Sequence, residues 1–186
     1  MTCLKSIQKP VHLDLKNIDV KKMKIKLEEL KLKDAKDILE AIEETTFDYN
    51  RMTNRVTLNE EKKWLKEITK KHKEGLVYEY KIMNNKKIVG IISLRVNPTK
   101  KYLGDIGYWI RESEQGKGIA TEATKQILIK AKKIKMSGIE AIADPKNIAS
   151  QKVLTKNGFI KIGILKKYIK VKGKLKDRTL YWKSLS

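Results

Sequence analysis

The chain has 186 residues, 40% of them hydrophobic and 35% charged, with 43 Lys and Arg against 22 Asp and Glu and a net charge of +21. This composition suits one globular domain with a sizeable core and excludes a disordered chain; the longest apolar run, Ile88 to Leu94, is far too short to span a membrane. One cysteine, Cys3, excludes an internal disulfide, and two histidines, His12 and His72, exclude a Cys/His zinc site, so no metal is expected. Neither histidine has the context of a hydrolase triad. The N-terminus (MTCLKSIQKPVHLDLKN) lacks the apolar stretch of a secretory leader, and a cytoplasmic location is expected.

In chain order, residues 1–22 show no clean period and carry Pro10, which reads as an N-terminal extension before a domain covering 23–186. Lys24 to Leu30 alternates as a strand. Ala35, Ile38, Leu39 and Ile42 recur at i, i+3, i+4 and i+7, predicting an amphipathic helix with Asp34 near its start. Thr45 to Val56 loses the period but keeps aromatics. Thr57 and Glu60 form a capping-box pattern for a second helix, with Trp64, Leu65 and Ile68 facing inward and Gly75 ending it.

The period then changes. Leu76 to Met83 and Lys87 to Arg95 predict a hairpin turning at Asn84-Asn85. Tyr102 to Ile110 (YLGDIGYWI) reads as a strand whose two glycines imply a bulge or a close backbone approach. A helix follows from about Gly118 to Lys135, then a short buried strand, Ile139 to Ala143, and a short helix, Asn147 to Thr155. Phe159 to Val171 and Leu175 to Trp182 form a last hairpin about Gly173. The order is β-α-α-β-β-β-α-β-α-β-β, one α/β (α+β by layer) domain.

The charge is mostly lysine, with only five arginines (Arg51, Arg55, Arg95, Arg111, Arg178). A nucleic-acid reader would use more arginine, whose planar fork pairs with phosphate and guanine, so a solvated basic surface is the plainer reading. The last 26 residues concentrate nine basic side chains against one acid, Asp177, which leaves open a patch for RNA or another anion.

The informative segment runs from Arg111 to Ala123 (RESEQGKGIATEA). A strand ends, a glycine-bearing loop follows, and a helix begins at once. The first N–H groups of a helix lack internal partners and carry its positive dipole end, a setting that suits phosphate. Gly116 and Gly118 admit a close ligand, and Lys117 adds charge. A Walker loop requires Lys after the last glycine, where this chain has Ile119, and the dinucleotide fingerprint requires Gly where it has Thr121.

What the segment does match is Gln-x-x-Gly-x-Ala, at Gln115, Gly118 and Ala120. With Asp105-Ile-Gly-Tyr-Trp-Ile110 before it, and Asn147-Ile-Ala-Ser150 and Asn157-Gly158-Phe159 after it, the chain resembles the GNAT superfamily of N-acetyltransferases. Within it, the chain is similar to the ribosomal-protein-alanine or -serine (Rim-type) N-terminal acetyltransferases over about residues 23–183. The resemblance implies a GNAT fold: a seven-stranded, mostly antiparallel sheet with splayed central strands 4 and 5 and about four helices. It implies acetyl-CoA as co-substrate, with the pantetheine arm near Trp109, Ile110 and Arg111. The diphosphate would lie on the N–H groups of Gly116, Lys117, Gly118, Ile119, Ala120 and Thr121, with Asn147 on the cofactor arm or simply capping its helix.

Acetyl transfer needs a neutral amine, donors for charge on the carbonyl oxygen, and a proton for the departing thiolate. Ser150 matches the subgroup's serine and is the expected acid. The subgroup's strand-6 glutamate is replaced by Ile169, so Asp105, tuned by burial, is the expected substitute base. Phe47, Tyr49 and Arg51 fall where the superfamily builds its acceptor wall. The acceptor implied is a protein or peptide N-terminal amine, such as that of a ribosomal protein, and the protein is expected as monomer or homodimer without a membrane partner. Alternatives are a polyamine or aminoglycoside acetyltransferase, or a non-catalytic ribosome- or RNA-associated module.

Overall fold

A computed structural model of the chain describes residues 25–42, 57–171 and 173–185. Seven strands form one sheet: β1 (Lys26–Glu29), β2 (Val77–Asn84), β3 (Lys87–Val96), β4 (Leu103–Ile110), β5 (Gly138–Ala143), β6 (Ile160–Val171) and β7 (Lys174–Ser184). Among the described residues four α-helices accompany them: α1 (Ala35–Ala41), α2 (Leu58–Lys73), α3 (Ile119–Lys133) and α4 (Ile148–Lys156). The spatial order is β1-β2-β3-β4-β5-β7-β6, antiparallel except for the central β4–β5 pair. The element order is the one expected from the sequence.

Period-2 side chains divide the sheet into two buried faces. Ile82, Ile92, Leu94, Ile106 and Ile110 meet Ile119, Ala123 and Ile127 of α3 and Leu154 of α4. On the opposite face, Ile91 and Trp109 meet Ile38 and Ala41 of α1 and Leu65 and Ile68 of α2. The result is three layers, with helices on both sides of the sheet. Under α1, Lys81 Nζ lies 2.9 Å from both carboxylate oxygens of Asp34, a buried ion pair that ties the start of α1 to β2.

Local sequence signals set several boundaries. Thr57 Oγ1 accepts from the Glu60 N–H (3.3 Å) and Glu60 Oε2 accepts from the Thr57 N–H (2.7 Å), the reciprocal cap that starts α2. The β2–β3 turn sits one residue later than expected: Asn85 and Lys86, at φ +47° and +67°, are its central residues, as a two-residue hairpin turn requires. In β4 the register with β3 runs without a bulge, and Gly104 serves close approach instead. A Cβ at Gly104 would lie 2.7 Å from the Arg95 carbonyl oxygen.

The functional geometry begins where β4 and β5 part. They pair from Leu103/Gly138 to Ile106/Ala141 and no further. β5 stays with β7 through Ala143/Thr179, while the far half of β4 stays with β3 through Ile110/Gly90. Held by different neighbours, the two strands open a gap beyond Ile106.

Candidate active site

On one side of this gap stands the loop that leads into α3. After β4 a 3-10 turn (Glu112–Glu114) brings the chain to Gln115. Gly116 and Gly118 have φ of +74° and +82°, a left-handed conformation that glycine adopts without strain. No atom lies within 4 Å of where a Cβ would sit on either one, so the backbone is open to a ligand. The first helical bond runs from Glu122 N–H to the Gly118 carbonyl (3.1 Å), and no side chain caps Gly118. The N–H groups of Ile119, Ala120 and Thr121 therefore have no partner within the helix. Ile119 is fully buried and fixes the helix start against the core. Lys117 lies 3.2 Å from Glu114, which holds its charge beside the loop. This donor set and its open approach fit a diphosphate.

The open edge of β4 is the second component. The Arg111 N–H donates to the Val89 carbonyl (2.8 Å), so odd-numbered groups of β4 face β3. By alternation the N–H and C=O of Tyr108 and Ile110 face the edge that β5 has left. The backbone groups left facing the gap are thus the N–H and C=O of Tyr108 and the N–H of Ile110, whereas the Trp109 groups and the Arg111 N–H face β3. Trp109 is buried against α1 and α2, and the Arg111 guanidinium donates to the Glu40 carbonyl. Gln115 Nε2 donates to the Ile110 carbonyl (3.0 Å), which fixes the loop to the strand and occupies that side chain.

Across the gap, Asn147 Oδ1 accepts from the Ser150 N–H (2.9 Å) and caps α4. That leaves the Ser150 hydroxyl free for Tyr108, whose Oη is 3.0 Å away. Burial pushes the Tyr108 phenol up to about 12, partly countered by this hydrogen bond. The phenol keeps its proton throughout the physiological range, so the Tyr108–Ser150 pair holds a transferable proton beside the open edge. Tyr108 carried no local signal in the sequence; only the register of β4 against α4 brings it to Ser150.

The opposite face of the sheet holds a pocket of about 170 Å³. Ile38 and Ile42 of α1 and Glu61 and Trp64 of α2 form its walls, and Glu79, Ser93, Gly107 and Trp109 lie on the sheet. Asp105 does not become the buried base expected. Its side chain is 44% exposed and is ion-paired with Arg95, which would compete for the lone pair a base needs. The acids that line this pocket are instead Glu61, which is buried, and Glu79, which is half-buried. Both carboxyls are pushed up to about 7, Glu61 by burial and Glu79 by burial and the Glu61 charge, against the pull of Arg95. Glu61 is 3% exposed and its Oε1 has no hydrogen-bond partner among the described residues.

Such a group has a consequence for stability. A carboxyl that holds its proton more tightly folded than unfolded costs stability as pH rises from its unfolded value near 4.5 through its folded value near 7. Glu61→Gln is therefore expected to gain on the order of 2–3 kcal/mol over the parent at about pH 8 and little at about pH 4.5. Thermal unfolding of both proteins at the two pH values checks this.

Phe47, Tyr49 and Arg51 lie outside the described residues, as do residues 1–22. Ile169 is partly buried on β6, the edge strand opposite Lys176 of β7. Among the described residues no cluster of His, Cys, Asp and Glu could hold a metal ion, and no helix is long and apolar enough to cross a membrane.

Comparison with known proteins adds to this geometry. The acetyltransferase (GNAT) domain matches residues 24–160. Over 73 residues the chain is 41% identical to the probable N-acetyltransferase YjcK of Bacillus subtilis, covering 39% of this chain and 40% of that protein. Over 99 residues it is 32% identical to the ribosomal-protein-serine acetyltransferase of Escherichia coli, covering 51% and 54%. The matched stretches thus span about half or less of these relatives. Mycobacterium smegmatis RimJ, solved in complex with CoA-disulfide, shares the fold with a TM-score of 0.79 at 24% identity, over 86% of this chain and 81% of that one.

Proposed function

Because the chain belongs to the GNAT acetyltransferase family, we propose that it is an acetyl-CoA-dependent N-acetyltransferase acting on the N-terminal α-amine of a protein, a ribosomal protein in particular. The observation that carries this reading is the conjunction at one gap: an unpaired β4 edge, a left-handed glycine loop, and the uncapped start of α3. The acceptor class draws support from the E. coli relative, named for acetylating a serine of a ribosomal protein.

Acetyl-CoA supplies an acetyl group activated as a thioester. The protein's own groups have three tasks. The N–H groups of Gly116 to Thr121 bind the diphosphate, with the α3 dipole and Lys117 adding attraction. The backbone groups of Tyr108 and Ile110 on the open edge orient the arm, and a fixed N–H there stabilises charge on a carbonyl oxygen more effectively than mobile water does. Tyr108 Oη and Ser150 Oγ, 3.0 Å apart, hold the proton that a leaving sulfur takes. A serine alone is a weak acid, and the phenol behind it gives that hydroxyl a source from which to be reprotonated.

The direct test incubates the purified protein with acetyl-CoA and peptides beginning Ala, Ser or Met, alongside spermidine. Thiol release and mass spectrometry are expected to show acetyl on the peptide α-amine. Release with spermidine alone would replace the acceptor class, and release with none of these amines would overturn the reading. Ser150→Ala and Tyr108→Phe are each expected to lower kcat by roughly 100-fold, with acetyl-CoA affinity within about twofold of the parent by calorimetry.

A further inference from the structure

The geometry points to Glu79, with Glu61 beside it, as the group that receives the acceptor's ammonium and takes its proton, an inference that rests on the acetyl-transfer reading above. Glu79, Ser93 and Gly107 form one cross-strand row by register, on the face covered by α1 and α2. Gly107 is the first residue of β4 beyond its pairing with β5, so the row runs from a carboxylate to the mouth of the gap. With strands about 4.8 Å apart, Glu79 and Gly107 are separated by about 10 Å of backbone, a reach shared by the glutamate side chain and the Ser93 hydroxyl. Ser93 Oγ itself donates to the Gly107 carbonyl (3.2 Å). Because Gly107 lacks a side chain, the Arg95 guanidinium and Ser93 Oγ lie over it, 3.4 Å and 3.6 Å from where a Cβ would stand, and make the floor there polar.

Among the described residues, the charges around Glu79 are an excess of carboxylates. Glu61 faces it from α2 and Arg95 from β3, and Asp105 of β4 neutralises Arg95. From α1 and its C-terminal end the described residues bring the apolar Ile38 and Ile42 to the pocket, while Lys81 is committed to Asp34. Glu61 has a fully buried oxygen in this pocket with no hydrogen-bond partner among the described residues. A carboxyl kept in so costly a position awaits a donor, and an ammonium is a donor of the right charge. This also accounts for how a protein of net charge +21 receives a cationic substrate: attraction is local and buried.

The proton balance is simple. R–NH3+ and Glu79–COO− become R–NH2 and Glu79–COOH; one N–H bond breaks, one O–H bond forms, and the freed lone pair is the nucleophile. The proton later leaves to solvent through the pocket mouth. Glu79 titrates near 7, close to the roughly 7.7–8.0 of an α-amine and far below the roughly 10.4 of a lysine or polyamine amine. Transfer from an N-terminus is nearly balanced, whereas transfer from an aliphatic side-chain amine is uphill by about 1000-fold or more.

Glu79→Gln and Glu61→Gln test this with a peptide beginning with serine as the probe. Expected for Glu79→Gln is acetyl-CoA affinity within about twofold of the parent, weaker calorimetric binding of the peptide, and kcat/KM lower by roughly 100-fold at pH 7. The parent rate should rise with pH through the region near 7; that limb should be absent in Glu79→Gln, whose rate recovers only as the free amine accumulates above about pH 8. Glu61→Gln should move the parent midpoint to lower pH by removing a like charge. Both variants keeping the parent kcat/KM, peptide affinity and pH profile would overturn the inference while leaving the acetyl-transfer reading intact. A parent that binds acetyl-CoA yet acetylates neither peptide nor spermidine would overturn both.

Discussion

Gly118→Glu is expected to weaken acetyl-CoA binding by at least about 100-fold while leaving the protein folded. Two effects act, and their sizes differ. The left-handed φ of +82° costs a non-glycine residue roughly 1 kcal/mol, with no steric clash to add, because nothing lies within 4 Å of the new Cβ. The carboxylate, however, would stand over the free N–H groups at the start of α3, competing for them and repelling the diphosphate. Two unit charges about 4–5 Å apart near a surface repel by roughly 3–4 kcal/mol, and each 1.4 kcal/mol is tenfold in affinity. Gly118→Ala separates the two, since it carries the strain without the charge and should lose less than about tenfold. Calorimetry with acetyl-CoA on the three proteins checks the ordering. Unchanged affinity in Gly118→Glu would remove this loop from the site.

Asp34→Ala is expected to destabilise the fold by about 3–5 kcal/mol, because it leaves the Lys81 ammonium buried with only the half-exposed Glu28 carboxylate, at 3.8 Å, nearby. For a domain of this size that corresponds to a fall in Tm of roughly 10 °C or more. The companion variant Asp34→Ala with Lys81→Met should recover much of the loss, since burying a methionine carries no desolvated charge. Lys81, Ile91 and Trp109 share a cross-strand row, and the latter two line the pocket beneath α1 and α2. The ion pair thus secures α1 over the floor of the site. Thermal unfolding of both variants decides whether charge burial or lost packing dominates.

The features legible in the sequence are those with local causes. The Thr57–Glu60 cap, the apolar stripe of α1 and the glycine loop before α3 each depend on residues within one or two turns of one another. The features that were missed depend on pairing across the sheet. Nothing in VYEYKIM tells that Glu79 lies beside Ser93 and Gly107, and nothing near Asp105 tells that Arg95, ten residues earlier, lies opposite it. Tyr108 reaches Ser150 across 42 residues of chain. The available signal was modest: strand alternation puts Glu79 and Lys81 on one face of β2, and two charged side chains on a face that helices cover require partners. Gln115 shows the converse case. Its motif position implies contact with the cofactor, and the structure adds that its amide donates to the Ile110 carbonyl, which ties the loop to β4.

The central claim is that the parted β4 edge and the start of α3 together hold acetyl-CoA. A crystal structure of the protein with coenzyme A tests it most directly. The diphosphate is expected within hydrogen-bonding distance of the N–H groups of residues 116–121, and the pantetheine arm paired with the backbone of Tyr108 and Ile110. Coenzyme A seated elsewhere, with those amides facing solvent, would contradict it.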